Sequence, residues 1–151
     1  MKKIYNVKHK SFLKKLTIGD LKIKGNLMLA PIAGYSDLAF RSICLENGAF
    51  FTFTEMVSAE ALARKNVKTL ELLTKAYNEK KIGVQIFTSN YKSAIKAVEQ
   101  ISRYRPSLID INCGCSVQKI IKTGSGASLL KNPQTIKDIV KALTQTYSFP
   151  V

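Results

Sequence analysis

Residues 82–112 read IGVQIFTSNYKSAIKAVEQISRYRPSLIDIN. IGVQIF (82–87) is a short, nearly continuous apolar run. In NYKSAIKAVEQISRY (90–104) the apolar residues Ala94, Ile95, Ala97, Val98 and Ile101 recur three and four apart, the spacing of one helix face. SLIDIN (107–112) returns to the apolar run. Strands apolar on both faces and joined by a helix form a parallel βαβ unit.

The same alternation extends outward in both directions. NLMLA (26–30) is a strand, and SDLAFRSICLENG (36–48) a helix with Ser36 or Asp37 at its N-cap. Its expected apolar face is Leu38, Phe40, Ile43, Cys44 and Leu45, and Asn47-Gly48 is its stop. AFFTFTEM (49–56) is a strand followed by helical sequence to about residue 73. NPQTIKDIVKALTQTY (132–147) is a helix with Pro133 in its first turn, and FPV (149–151) opens a further strand. Ahead of this unit, residues 1–15 are a basic arm, and LTIGDLKIKGN (16–26) is a small hairpin turning at Gly19-Asp20. The expected division is therefore residues 1–25, arm and hairpin, and residues 26–151, an α/β unit. The spacings suit a doubly wound sheet or a (β/α)8 barrel. A barrel takes about 250 residues, so the 151 present would supply about its first four βα units.

Composition narrows the function. Lys and Arg number 24 against 10 Asp and Glu, a net charge of +14, which points to a polyanionic partner such as RNA. No apolar run is long enough to cross a membrane. Three cysteines, an odd number with no secretory signal, imply a reducing compartment, the cytoplasm. CxC with one further cysteine and a single His9 is the wrong stock for a zinc site, so no metal is expected.

Functional groups of parallel α/β folds gather at the C-terminal ends of the strands. There this sequence places APIAGYSD (30–37), Thr54-Glu55, Gln85 inside its apolar run, and Asn112 with Cys115 just beyond. Cys44 reads as a small core residue and Cys113 as packing. Cys115, in a loop after Gly114 and close in sequence to Lys119 and Lys122, is the thiol placed to exchange a proton. KTGSGASLL (122–130) has the glycine pattern of a phosphate cradle, or equally of a tight turn before a helix.

Five segments in order, APIAGYSDLAFR (30–41), TEM (54–56), VQIF (84–87), DINCGCSVQKI (110–120) and GSGASLL (124–130), resemble the successive motifs of the tRNA-dihydrouridine synthases. The resemblance covers residues 26–151. It implies an FMN-dependent (β/α)8 barrel that reduces the C5–C6 bond of particular uridines in tRNA, with NADPH as electron source. Pro31, Ile32 and Ala33 would line the flavin, and Gln85 would hydrogen-bond its ring. Asn112 would face the flavin or the flipped uracil. Cys115 would protonate C5 as hydride reaches C6. Ser116 stands where the family has proline, and Ile32 where it has methionine. The resemblance also implies that the family's later strands and helical tRNA-binding domain lie beyond Val151. The isolated chain would then hold FMN weakly and self-associate through uncovered edges. Two other functions fit parts of the pattern. One is a catalytically silent basic RNA-binding fragment. The other is a flavin barrel acting on a free pyrimidine, like dihydroorotate dehydrogenase, which shares the asparagine–cysteine loop but not AGYSDLAFR.

Overall fold

The computed structural model describes residues 13–151; the greater part of the expected basic arm lies outside them. The first element is an antiparallel hairpin, β1 (Leu16–Ile18) and β2 (Leu21–Ile23), which turns at Gly19 with φ +54°. Then follow β3 (Met28–Leu29), α1 (Leu38–Glu46), β4 (Phe51–Phe53), β5 (Val57–Ser58), α2 (Ala59–Ala63), α3 (Val67–Glu71) and β6 (Ile82–Phe87). The chain continues through α4 (Tyr91–Ser102), β7 (Leu108–Ile111), α5 (Gln118–Ile121), a 3-10 turn (Gly126–Lys131) and α6 (Pro133–Thr146).

All pairs in the larger sheet are parallel: β3 with β4, β4 and β5 with β6, and β6 with β7. β4 and β5 are the two halves of one strand. Both lie on the same side of β6, with one more residue between Phe53 and Val57 than between Gly83 and Ile86. That extra residue is a bulge, a device found beside functional sites because it re-aims side chains. Counting β4 and β5 together, spatial order equals chain order through four βα units. A doubly wound sheet would reverse its order; this one does not.

Alternation along the strands separates two cores. Val57, Val84, Ile86 and Ile109 face the helices and pack with Leu62 of α2, Ala94, Ala97, Val98 and Ile101 of α4, and Ile139 and Leu143 of α6. The other face carries Phe51, Phe53, Gly83, Gln85, Leu108 and Asp110, apolar toward the start of the strands and polar toward their ends. Leu21 and Ile23 of the hairpin close the apolar end against Phe51 and Leu108. On β6, Gly83 is required because a Cβ there would stand 2.4 Å from the ring of Phe53. It lies within a strand and shapes no turn.

α4 and α6 occupy the expected segments, α4 capped by Asn90 Oδ1 accepting from Ser93 N–H at 2.9 Å and α6 starting on Pro133. The helical sequence up to residue 73 is broken in two, with Lys65 between the halves at φ +57°. The tail runs beside β7, Ile109 N–H donating to Pro150 O at 2.9 Å.

α1 departs from expectation. Asp37 is its N-cap, but Leu38, Phe40 and Ile43 of the expected buried face are 40%, 42% and 55% exposed, and the buried side chain is Arg41. The cause is a charge network beneath the helix. Arg41 Nε and Nη2 donate to Glu79 Oε1 and Oε2 at 2.8 and 3.1 Å, and Nη1 donates to Ser36 O at 2.9 Å. Thr52 Oγ1 donates to Glu79 Oε1 at 2.7 Å. Burial pushes the Glu79 carboxyl up, but the hydrogen bonds from Arg41, Ala76 N–H and Thr52 outweigh it and hold its pKa below the ordinary value of 4.5.

Candidate active site

The strand ends carry a connected set of side chains. Gln85, 8% exposed, donates from Nε2 to Asp110 Oδ2 and accepts at Oε1 from Asn112 Nδ2 at 3.0 Å. Asn112 Nδ2 also reaches Met56 Sδ at 3.7 Å. Asn112 Oδ1 accepts from Cys115 N–H at 2.9 Å and Gly114 N–H at 3.3 Å. An asparagine side chain has two donors and an oxygen with two lone pairs. All are engaged within the protein here, the contact to Met56 being the longest. Gln85 keeps one amide proton uncommitted.

Asp110, Gln85, Asn112 and Cys115 therefore form one chain of contacts across β6 and β7, which sets the loop that follows β7. Cys115 is half-buried at the end of that chain. Cys113 turns back and packs against the helix-side core. Burial, helped by the Asp110 carboxylate, pushes its thiol pKa up, so it stays protonated. Cys44, also half-buried, lines an apolar hollow with Leu27, Met28 and Leu29 at the β3 edge. Lys119 and Lys122 are exposed.

The bulge ties the first loop to this set. Thr54 N–H donates to Gly83 O at 3.0 Å, and Gln85 N–H finds Thr54 Oγ1 at 3.3 Å, so the hydroxyl replaces a ladder acceptor. Glu55 reaches across and accepts from Gly34 N–H through Oε2. The 30–36 loop is further closed by Ser36 Oγ, which accepts from Ile32 N–H at 2.9 Å, and by Arg41 beneath Ser36 O. Ile32 is 46% exposed, Ala33 is exposed and Pro31 half-buried, so the loop presents an apolar shelf beyond the end of β3.

The Thr123–Ala127 segment is a tight turn. Within it the N–H groups of Thr123, Gly124 and Ala127 are spent on Ile120 O, Ile121 O and Cys115 O. Among the described residues no cluster of three or more His, Cys, Asp or Glu side chains is placed to hold a metal ion. Likewise, no helix there is long and apolar enough to cross a membrane.

Sequence reading brings Gln85, Asn112 and Cys115 to one place, with Pro31, Ile32 and Ala33 on the loop joined to it through Glu55. It missed Asp110 and Met56 as their partners. Asp110, two residues before Asn112 on the same strand face, was the signal available. Glu79, an acid in the lysine-rich AYNEKK (76–81), reads as solvated and left no signal.

Residues 28–151 match the family described as "Dihydrouridine synthase (Dus)". The chain is 47% identical over 129 residues to a "Probable tRNA-dihydrouridine synthase" of Treponema pallidum (strain Nichols), covering 85% of this chain and 38% of that protein. It is 39% identical over 127 residues to a protein of the same name in Helicobacter pylori (strain J99), covering 83% of this chain and 39% of that one. It is also 32% identical over 136 residues to "tRNA-dihydrouridine synthase B" of Shewanella oneidensis, covering 90% and 42%. The chain thus spans 38–42% of the length of these relatives. With four parallel βα units in chain order and a family match over them, the chain belongs to the dihydrouridine synthases and contributes the first four units of their (β/α)8 barrel.

Proposed function

We propose that the protein reduces the C5–C6 double bond of specific uridines in tRNA to dihydrouridine, with FMN as cofactor, NADPH as electron source and Cys115 as the proton donor. Residues 1–25 are then a basic arm and hairpin before the barrel portion 26–151, and the place of work is the cytoplasm. The observation that carries this reading is the position of Cys115: a half-buried thiol at the end of a contact chain linking two strand ends.

The residues fit a flavin ring. An isoalloxazine has apolar faces and a polar edge. The Pro31–Ala33 shelf suits the faces, and the uncommitted amide proton of Gln85 suits the edge. FMN held by these residues would supply the hydride chemistry that reduction at C6 needs. Cys115 then delivers its proton to C5, and the thiol must sit on the opposite face of the base from the hydride. Asn112 orients the cysteine through its backbone N–H, and the proton it points at Met56 Sδ is the one most readily given up to a uracil carbonyl. A uridine reaches such a site only by leaving its stack, and the cationic surface stabilises the bound tRNA backbone.

The test is Cys115→Ala in the intact enzyme. Yellow FMN should be retained, because the shelf and Gln85 are untouched, while dihydrouridine formation should fall by about 10²–10⁴-fold, the usual contribution of a positioned acid. Full activity would remove Cys115 from the mechanism.

A further inference from the structure

The Thr123–Ala127 turn has no part in the reaction outlined above, yet its contacts converge on Cys115. Ala127 N–H donates to Cys115 O at 2.9 Å. On the other side of the same residue, Cys115 N–H donates to Asn112 Oδ1 at 2.9 Å. Both peptide groups flanking the Cys115 Cα are therefore pinned. Since each peptide is planar, fixing both planes fixes the direction of the Cα–Cβ bond and so the arc open to the thiol.

Gly126 permits this arrangement. It adopts φ +63°, and a Cβ there would stand 2.6 Å from Cys115 O, 3.0 Å from Ile120 Cγ2 and 3.3 Å from Cys115 Cβ. Any side chain would push the Cys115 carbonyl away and break its bond to Ala127. The turn itself is stiffened by the Thr123 hydroxyl, 2.7 Å from Ile120 O and 3.1 Å from Ser125 Oγ, with Ser125 1% exposed.

We infer that Gly126 and Ala127 are positioning residues for the Cys115 thiol: the glycine turn is a clamp on the proton donor. This rests on the reading of Cys115 as that donor.

The experiment uses the intact enzyme with Gly126→Ala, Gly126→Asn, Gly19→Ala, Cys115→Ala and the Cys115→Ala/Gly126→Ala double variant. FMN per chain, kcat, KM for tRNA, melting temperature and the rate of Cys115 alkylation by iodoacetamide (followed on its peptide by mass spectrometry) are measured. Gly126→Ala should keep FMN and KM, while kcat falls about 10²-fold, the scale of an ångström's misplacement. Cys115 alkylation should quicken several-fold as the loop is freed. Asparagine tolerates the left-handed region, so Gly126→Asn keeps the collision with less strain and serves if the alanine variant folds poorly. Gly19, in the β1–β2 hairpin and outside this turn, has φ +54° and a Cβ there would stand 3.3 Å from Pro150, so Gly19→Ala carries similar strain and should lower the melting temperature while kcat holds. In the Cys115→Ala background Gly126→Ala should cost no further activity, because the two act as a unit.

Wild-type kcat and alkylation in both Gly126 variants would overturn the inference, as would a loss of kcat that merely tracks melting temperature across the glycine variants. If Cys115→Ala itself stays active, the reading of the acid fails. The alkylation rates then still decide whether Gly126 holds the thiol.

Discussion

At the scale of single residues the largest wholly buried side chain among those described is a charged one, Arg41, at 2% exposure. Its guanidinium spends three nitrogens on Glu79, Ser36 O and Thr74 O, so the charge is compensated on every side. Arg41→Met leaves Glu79 buried without its partner and should cost about 3–5 kcal/mol in urea denaturation. The double variant Arg41→Met/Glu79→Gln should recover part of that loss. The same pair sets a pH dependence. Glu79 has a folded pKa below its ordinary 4.5, so its stabilisation is fully present above that value and disappears as pH falls through the lower, folded one. Wild-type melting temperature should fall more steeply than that of Glu79→Gln as the pH drops below 4.5. Equal slopes would show that the carboxylate is not the group responsible. Because Arg41 also holds Ser36 O, its loss should loosen the 30–36 loop and, on the proposed function, weaken FMN retention in the intact enzyme as well.

Among the elements, β6 and α1 teach opposite lessons. β6 is buried at five of its six residues, and its one glycine is required by the Phe53 ring. Gly83→Ala should overpack the interior and cost about 1–3 kcal/mol. Adding Phe53→Leu, which shortens the intruding side chain, should restore part of it, and thermal melts of the wild type and these two variants decide this. α1 reads in sequence as an apolar helix face turned to a core, yet it docks through Arg41 and leaves Phe40 and Ile43 exposed. Ile43→Lys should therefore change stability by no more than about 0.5 kcal/mol. Leu143→Ala, on α6 and 1% exposed, should cost about 2–5 kcal/mol.

For the whole molecule, Leu27 just before β3, Ile32 in the loop after it, and Leu38, Phe40 and Ile43 on α1 are exposed. Beside them an apolar hollow of about 260 Å³ opens at the β3 edge. Among the described residues β3 pairs only with β4, so its other edge is open to a further strand. Residues 1–151 alone should therefore sediment as a concentration-dependent mixture of monomer and larger species, despite a net charge of +14. Phe40→Lys with Ile43→Lys should shift the mixture toward monomer. A wild-type chain that stays monomeric at every concentration would show that this patch does not drive association.

The alternation of strands and helices, the segments of α4 and α6, and the cluster of Gln85, Asn112 and Cys115 at the strand ends were legible in the order of the residues. These follow from local periodicity and from the rule that such ends gather function, both readable without knowing what lies opposite. Tertiary structure alone decided the rest. Whether the sheet keeps chain order depends on which strands meet, and the bulge after Phe53 depends on register against β6. Arg41 is buried because Glu79, thirty-eight residues away in sequence, comes to meet it. Gly126 reads as a turn until Cys115 O is seen in the place its Cβ would take. In each case the deciding partner is distant in the chain, and short-range pattern carries no information about such a partner.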